Sequence, residues 1–283
     1  MKPFRAATLQ MRTTRSVARN IDDLLALAGQ AIDEGAVFVQ SPEMSNILER
    51  SRAALFDAIR DEVEDPMLAA ARDFARAKRV TFHLGSLAVK ADEKIANRGF
   101  LVGPDGEIIA RYDKLHLFDV DLPNGESWRE SATYTAGKCA VMAPFGDAVL
   151  GMGICYDLRF PYLFRALAEA GADVLTAPAC FTRQTGEAHW TVLQRARAIE
   201  TGSFMISAAQ GGTHEDGRET YGHSIIVDPW GRVLVEGGDA PGVFMAEIDL
   251  AKVAEARQRI PTLKHTRQIE IARAGFPPQK AAE

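Results

Sequence analysis

Short apolar runs alternate with amphipathic stretches along the first third of the chain. Apolar runs at 4–11, 36–44 and 80–89 predict strands. Between them, apolar residues at helical spacing predict helices from Ser16 to Glu34 and from Met67 to Lys78. The resulting order, βαβαβ, indicates parallel strands whose faces are covered by the connecting helices.

The second half of the chain repeats this order. Three apolar runs predict strands at 148–157, 172–178 and 204–210. Two amphipathic stretches between them predict helices, one from Pro161 to Ala170 and one from His189 to Thr201. The chain is therefore expected to consist of two similar halves.

Hairpin signals adjoin both halves. In residues 100–118 a Pro-Asp-Gly turn separates two apolar runs, and residues 228–238 contain a similar Asp-Pro-Trp-Gly turn. Antiparallel hairpins attached to two βαβ units favour two sheets over one doubly wound sheet, each sheet keeping helices on its outer face. The sequence thus predicts an α/β fold, arranged as a four-layer αββα sandwich.

The sequence up to about Leu250 contains no linker rich in proline or serine and no break in composition. We therefore expect a single domain over residues 1–250. Residues 251–283 predict a short helix followed by an extended polar tail. Because this C-terminal extension is too poor in apolar residues to form its own core, we expect it to pack on the body, to reach across a dimer or to be partly loose.

Composition and charge indicate a globular protein and argue against nucleic-acid and membrane partners. With 47% hydrophobic and 25% charged residues, the chain has the composition of an ordinary globular protein. Its formal net charge is −5 and its basic residues are interspersed with acidic ones, which argues against nucleic acid as a partner. No apolar run approaches the roughly 20 residues that cross a bilayer, and the start lacks a secretory signal. We expect a cytoplasmic protein with no membrane partner.

The cysteines point to thiol chemistry. Cys139, Cys155 and Cys180 are an odd number, widely spaced and without a CxxC pair. This pattern suggests neither a disulfide framework nor a zinc site.

Three residues with complementary chemistry lie in or just beyond predicted strands. Cys155 follows an apolar run and precedes a helix, a position that favours a thiolate and an oxyanion. Glu43 stands just beyond the second apolar run. Lys114 is expected on a strand whose pleat would put it on the same face as Tyr112 and His116. A lysine that points to an apolar interior would need a carboxylate partner.

Together these residues could attack an amide. The Glu43 carboxylate can accept the thiol proton of Cys155 and later activate water. The Lys114 ammonium and the backbone N–H of Tyr156 can stabilise the oxyanion of the tetrahedral intermediate. Taken singly, each residue has an ordinary explanation: an inert buried cysteine, a surface carboxylate and a strand charge that discourages aggregation.

Five segments of the chain resemble the nitrilase superfamily of carbon–nitrogen hydrolases. They are SPEM (41–44), RYDKLHLFD (111–119), GICYDLRFP (153–161), GEAHWTVLQRARAIET (186–201) and YGHSIIVDPWGRV (221–233). The resemblance extends from Phe4 to about Arg267, and the three catalytic motifs occur in the family order. It implies the αββα fold, a homodimer or higher homo-oligomer, and no metal or cofactor.

The resemblance also implies roles for individual residues. The Glu-Lys-Cys triad of the family corresponds to Glu43, Lys114 and Cys155. A second glutamate, which in the family helps to hold the lysine and the substrate, is assigned to Glu130 in the segment WRES. Glu126, in the segment NGES just upstream, is the competing assignment.

Within the superfamily, the segments RARAIET, AAQGGTH and YGHS are most similar to the Nit branch of the deaminated glutathione amidase type. The similarity implies an amidase that cleaves the terminal amide of a small 2-oxo acid amide to a carboxylate and ammonia through a cysteine thioester. Arg159 and Arg183 are candidates for binding a substrate carboxylate, since they follow Cys155 and Cys180. Phe181, Trp190 and the segment GTHEDGRE (212–219) are further candidates for lining or covering the pocket, although a tryptophan on a helix is more often part of the core.

Other functions remain open at this point. The same triad could act as an ω-amidase on 2-oxoglutaramate, or on a nitrile, an N-carbamoyl amino acid or another aliphatic amide. A non-catalytic scaffold and a papain-like protease are rivals from other classes. His116, His189 and His223 would be needed for the latter, but none has the local signature of a cysteine protease, and structural roles are favoured for them.

Overall fold

The computed structural model describes residues 2–123, 125–272 and 274. The helices are α1 Val17–Asp33, α2 Arg52–Ala58, α3 Pro66–Lys78, α4 Pro161–Glu169, α5 Arg183–Thr201 and α6 Ala251–Arg259. The strands are β1 Phe4–Gln10, β2 Phe38–Gln40, β3 Thr81–Ala91, β4 Lys94–Val102, β5 Ile108–Asp113, β6 Asp119–Asp121, β7 Ser127–Arg129, β8 Tyr134–Thr135, β9 Val141–Phe145, β10 Ala148–Met152, β11 Val174–Thr176, β12 Phe204–Ser207, β13 Gly211–Thr213, β14 Glu219–Tyr221, β15 Ile225–Val227, β16 Val233–Glu236 and β17 Gly242–Ile248.

Two main sheets form the centre of the molecule. The first has the order β17-β1-β2-β3-β4-β5, with β8 beside β4, and the second has the order β16-β15-β12-β11-β10-β9. Strands β1, β2 and β3 are parallel, as are β10, β11 and β12, whereas the hairpins that flank them are antiparallel. The predicted αββα sandwich is confirmed.

The core has two principal layers of apolar contacts. Between the sheets, Phe38 of β2 packs against Phe145 of β9, with ring centroids 5.0 Å apart. On the outer face of the first sheet, Leu24 of α1 and Leu68 of α3 belong to a separate buried cluster with the strands. Burial of apolar surface on both faces of each sheet explains why the central strands are short continuous apolar runs.

Local chemistry sets the ends of several elements where the sequence predicted them. The Ser16 side chain caps α1, and the Asp65 side chain accepts a 2.9 Å hydrogen bond from Leu68 N at the start of α3. Gly106 has φ +80° in the β4–β5 hairpin, a conformation that glycine adopts without steric cost. Helix α5 begins at Arg183 rather than at His189, because Thr182 caps it six residues earlier than predicted.

One strand prediction was wrong. Strand β5 ends at Asp113, so Lys114 lies in the loop beyond it and the predicted pleat does not extend to His116. The sequence analysis also missed the seven-residue helix α2 and the hairpins β6–β7 and β13–β14, whose three-residue strands carry few apolar residues. These missed elements lie around the candidate site, where loops rather than core strands provide the side chains.

The last part of the described chain packs on the body. Strand β17 is antiparallel to β1, so the chain returns to the first sheet before α6 begins. Val253 and Ala256 of α6 are buried, and Arg257 donates hydrogen bonds to Ala172 O and Thr201 O. The predicted boundary at residue 250 stays a prediction, and the end of the predicted extension, 275–283, lies outside the described residues.

Among the described residues, no helix has both the length and the apolarity required to span a membrane.

Candidate active site

The three candidate catalytic residues meet between the two sheets. Glu43 follows β2, Lys114 follows β5 and Cys155 follows β10, and all three side chains are buried. Strands β2 and β10 belong to different sheets, so the site forms only when the sheets pack together. Lys114 is 71 positions and Cys155 is 112 positions after Glu43 in the sequence. The packing of the two sheets brings the three residues together.

Lys114 lies between two carboxylates. Its ammonium donates to Glu43 Oε1 at 2.9 Å and to both oxygens of Glu130, at 2.9 and 3.1 Å. Asn97 of β4 donates to Glu43 at 2.9 Å and to Glu130 at 3.3 Å, which joins the two carboxylates from the other side. Of the two glutamates considered from the sequence, Glu130 is therefore the one beside Lys114, whereas Glu126 accepts a hydrogen bond from Trp128 Nε1.

The charges in this group stabilise one another. Burial by itself lowers the pKa of Lys114, but the charges of Glu130 and Glu43 raise it well above its ordinary value. Burial by itself raises the pKa of Glu43, yet the Lys114 charge and hydrogen bonds from Cys155, Lys114 and Asn97 lower it. The resting site thus contains an ammonium and an ionised Glu43.

Cys155 is a neutral thiol next to this carboxylate. Burial, followed by the negative charge of Glu43, raises the pKa of the thiol well above its ordinary value. Cys155 has φ +49°, an uncommon conformation for a residue other than glycine and one that is frequent at functional sites. The second oxygen of Glu43 accepts a 2.8 Å hydrogen bond from Cys180 N, which fixes the carboxylate. A carboxylate held in this way could accept the thiol proton.

Backbone N–H groups surround the nucleophile. Cys155 N donates to Pro178 O at 2.9 Å and Asp157 N donates to Ile154 O at 3.0 Å. The amide between them is that of Tyr156, in the first turn of the 3₁₀ helix Cys155–Arg159. The Tyr156 N–H is adjacent to the nucleophile and takes part in neither of these two hydrogen bonds.

A cavity of about 350 Å³ opens onto the triad. Arg159 and Phe181, both predicted to contact the substrate, line this cavity. Arg159 Nη1 lies 3.1 Å from His189 Nδ1. The ring centroid of Phe181 lies 5.1 Å from the Arg159 guanidinium. The cavity wall includes Glu43, Lys114, Cys155, Arg159, Phe181 and Arg218.

The prediction for Arg183 needs correction. Arg183 is not part of the cavity wall, because its guanidinium is turned toward Glu219 and Asp239, each 3.7 Å away. Arg218 lines the cavity instead. Arg218 belongs to the segment 212–219 that the sequence offered as a pocket wall, but nothing in its local pattern distinguished it within that segment from a solvated loop arginine.

The three histidines considered from the sequence have other partners. His116 Nδ1 lies 2.6 Å from Asp157 Oδ1, His189 contacts Arg159, and His223 Nδ1 lies 3.2 Å from Glu236. None of these hydrogen bonds joins a histidine to the thiol of Cys155. Among the described residues, no group of three or more histidine, cysteine, aspartate or glutamate side chains is arranged to hold a metal ion.

Comparisons with known proteins identify the family of the chain. The family model of the carbon–nitrogen hydrolases matches residues 5–258. A deaminated glutathione amidase of Synechocystis is 40% identical over 272 residues, covering 94% of this chain and 98% of that protein.

Solved structures give the same result. The NitFhit protein of C. elegans superposes with a TM-score of 0.82 at 31% identity, covering 94% of this chain and 65% of that longer chain. Nit3 of Saccharomyces cerevisiae, a member of branch 10 of the nitrilase superfamily, superposes with a TM-score of 0.82 at 25% identity, covering 94% of this chain and 96% of that chain. This chain therefore belongs to the carbon–nitrogen hydrolase family.

Proposed function

We propose that the protein is a thiol amidase that hydrolyses deaminated glutathione, with Cys155 as nucleophile, Glu43 as general base and Lys114 as oxyanion stabiliser. The observation that carries the proposal is the buried group of Cys155, Glu43 and Lys114 at one cavity, in which Glu43 Oε1 accepts a 2.9 Å hydrogen bond from Lys114. The relatives that are named deaminated glutathione amidases, at 34–40% identity, support the choice of substrate.

The acylation half of the reaction follows from this arrangement. Cys155 Sγ attacks the amide carbonyl carbon while Glu43 accepts the S–H proton, so that the thiolate exists only as the new C–S bond forms. The negative charge on the carbonyl oxygen is stabilised by Lys114 and the Tyr156 N–H. When the C–N bond breaks, Glu43 returns the proton to the departing amine and a thioester remains.

Deacylation uses the same groups. Water replaces the amine in the cavity, and Glu43 accepts one of its protons as the oxygen attacks the thioester carbonyl. Breakage of the C–S bond then releases a carboxylic acid, and the proton held by Glu43 restores the Cys155 thiol. Glu130 keeps Lys114 charged and in position through both halves, since it contacts the ammonium with both oxygens.

The identity of the leaving group depends on the substrate. Deaminated glutathione has an oxo group where glutathione has its amino group, and its γ-amide joins a 2-oxoglutaryl group to cysteinylglycine. Hydrolysis of that bond yields 2-oxoglutarate and cysteinylglycine, so ammonia is not a product. Ammonia is the leaving group only for an unsubstituted amide such as 2-oxoglutaramate, which corrects the product expected from the sequence.

The cavity suits an acyl group that ends in a carboxylate. Its volume of about 350 Å³ falls within the range of small-molecule sites. Arg159 is the cation on the Cys155 and Tyr156 side of the cavity, and it would bind the 2-oxo acid end of the substrate. The Phe181 ring beneath its guanidinium would limit the room for the acyl chain.

The test compares the rates at which two substrates yield the same product, 2-oxoglutarate. The rate of 2-oxoglutarate formation is measured with deaminated glutathione and with 2-oxoglutaramate, for the wild type, Cys155→Ala and the exposed-cysteine control Cys139→Ala. We expect a higher kcat/KM for deaminated glutathione, no turnover by Cys155→Ala and unchanged turnover by Cys139→Ala. A higher kcat/KM for 2-oxoglutaramate would instead identify an ω-amidase, and activity retained in Cys155→Ala would refute the thiol mechanism.

We also propose a homodimer in the cytoplasm. Tyr162 of α4 and Val192 and Ile199 of α5 are 62%, 68% and 52% exposed, an apolar surface on neighbouring outer helices that a second copy would cover. Cys139, Cys155 and Cys180 are all free thiols, the state favoured by a reducing compartment. Sedimentation equilibrium of the wild type tests the dimer.

A further inference from the structure

Two arginines on separate loops share one aromatic ring at the cavity wall. The guanidinium carbon of Arg50 lies 5.1 Å from the ring centroid of Trp128, and that of Arg218 lies 5.4 Å from the same centroid. Trp128 belongs to the hairpin β6–β7, and its Nε1 donates to Glu126 at 3.3 Å, which fixes the edge of the indole. All three side chains line the cavity that contains Cys155.

The two guanidinium groups at this ring differ in their partners. Arg218 is largely buried and is paired with Asp216, whose side chain is fully buried, through contacts of 2.6 and 2.7 Å to a single carboxylate oxygen. Arg50 is exposed, and among the described residues no carboxylate lies within 4.0 Å of its guanidinium. Within the described part of the chain, Arg50 thus lines the cavity without an ion pair of its own, while the carboxylate of Glu126 lies at the indole N–H. A guanidinium that has no carboxylate partner can bind the carboxylate of a substrate.

The position of Arg50 and Arg218 relative to the triad fits the leaving group of the substrate. Arg218 and Cys180 are neighbours on the cavity wall, and Cys180 N donates to Glu43, so Arg218 lies on the Glu43 side of the nucleophile, with Arg50 on the same indole. Arg159, in contrast, lies on the side of Tyr156 and Phe181. A substrate cleaved at Cys155 with its acyl carboxylate at Arg159 would extend its leaving group toward Trp128.

We propose that Arg50, Trp128 and Arg218 form a subsite for the C-terminal carboxylate of a dipeptide leaving group. An extended dipeptide spans about 7 Å, which carries its carboxylate away from the scissile bond to the outer part of the cavity. The indole holds the two guanidinium groups in place by cation–π contact, so that less side-chain freedom is lost when the carboxylate binds. The inference rests on the proposed function and explains how the enzyme distinguishes a dipeptide amide from an unsubstituted amide.

The experiment compares three substrates that share the 2-oxo acid end. They are deaminated glutathione, its C-terminal carboxamide analogue, which lacks the distal negative charge, and 2-oxoglutaramate, which lacks the dipeptide. KM and kcat are measured for the wild type, Arg50→Gln and Trp128→Leu. The charge-matched control is Arg60→Gln, since the Arg60 guanidinium donates to the carbonyl groups of Asp57, Ala58 and Ile59 outside the cavity.

We expect Arg50→Gln to raise KM for deaminated glutathione about tenfold, the loss of one charge-assisted contact, with kcat little changed. Trp128→Leu should act in the same direction. Neither variant should alter KM for the carboxamide analogue or for 2-oxoglutaramate. Arg159→Gln should raise KM for all three substrates, because all three carry the 2-oxo acid end, and Arg60→Gln should raise none.

Two results would overturn the subsite. An unchanged KM for deaminated glutathione in Arg50→Gln and Trp128→Leu, with an active wild type, would remove the subsite and leave the proposed function intact. An equal rise in KM for deaminated glutathione and its carboxamide analogue would show that the contact does not recognise the carboxylate. A wild type that hydrolyses 2-oxoglutaramate but not deaminated glutathione would reject both the proposed function and the subsite.

Discussion

The hydroxyl of Tyr112 donates a 2.7 Å hydrogen bond to Asp157 Oδ2 across the interface between the two sheets. Both side chains are fully buried. Tyr112 lies in β5, two residues before Lys114, and Asp157 lies two residues after Cys155. The other oxygen of Asp157 accepts a 3.0 Å hydrogen bond from His116 N, so one carboxylate connects the loops that carry the lysine and the nucleophile.

Removal of this hydroxyl should reduce both stability and turnover. In Tyr112→Phe the Asp157 carboxylate keeps its other donors but loses a hydrogen bond to a charged group, which should cost about 1–3 kcal/mol of unfolding free energy. Because the loop of Lys114 is then held less firmly against Cys155, we expect kcat to fall by roughly tenfold with little change in KM. Urea denaturation and steady-state kinetics measure the two effects.

The control for this variant is Tyr162→Phe. Tyr162 is 62% exposed and its hydroxyl contacts the opposite nitrogen of the His116 ring. We expect its unfolding free energy and kcat to stay close to those of the wild type. If Tyr112→Phe is destabilised but retains full kcat, the Tyr112–Asp157 bond serves the fold alone.

Replacement of Glu43 should make Cys155 easier to alkylate while it stops hydrolysis. Burial and the Glu43 charge raise the pKa of the thiol, whereas Lys114 lowers it. In Glu43→Gln the nearby negative charge is gone and the ammonium remains, so the pKa of Cys155 should fall. Alkylation by iodoacetamide should then become rapid at a lower pH than in the wild type.

Hydrolysis by Glu43→Gln should decrease by a factor on the order of 10² to 10⁴, because the general base is lost. Both measurements are made in a Cys139→Ser background, so that the exposed thiol does not react, and mass spectrometry locates the alkylated residue. An alkylation profile identical to that of the wild type would contradict the electrostatic role given to Glu43.

His83 should make the protein less stable as the pH falls. Burial lowers the pKa of His83 to about 3, while in the unfolded chain the ordinary value is 6.5. The neutral form is therefore favoured by folding: its full contribution is present above pH 6.5 and is lost as the pH falls through 6.5 toward 3. The slope from this one group is at most about 1.4 kcal/mol per pH unit.

The variant His83→Gln tests the slope. Its side chain can keep a hydrogen bond with Gln40, which lies 3.0 Å from His83 Nδ1, but it does not titrate. Urea denaturation between pH 7 and pH 5 should show a smaller loss of unfolding free energy per pH unit than in the wild type. The exposed His265→Gln should leave the slope unchanged, and equal slopes in His83→Gln and the wild type would show that other groups dominate.

Much of the architecture could be predicted because it depends on local sequence patterns. The period of apolar residues identified the central strands of both sheets and helices such as α1 and α4, since that period reports which face of an element is buried. Turn chemistry identified the β4–β5 hairpin through Gly106. The candidate triad was found by motif, because each member follows a recognisable strand.

The surroundings of the triad depended on contacts that no local pattern encodes. Asn97 is one of three polar residues in strand β4, with Lys94 and Arg98, and nothing local marks it as the one that joins Glu43 to Glu130. Glu126 and Glu130 are four residues apart and equally polar, and only the path of the hairpin β6–β7 puts Glu130 against Lys114.

Contacts that no local pattern encodes also explain why Arg183 and Arg218 point in different directions. By itself the sequence determined that the chain folds as two packed sheets and that Glu43 and Cys155 stand at strand ends, whereas it put Lys114 within a strand. Only the tertiary structure decided that Arg183 turns to Glu219 and Asp239 while Arg218 enters the cavity. Periodicity reports burial within one element, whereas the direction of a loop side chain is set by charges that another part of the chain brings to it.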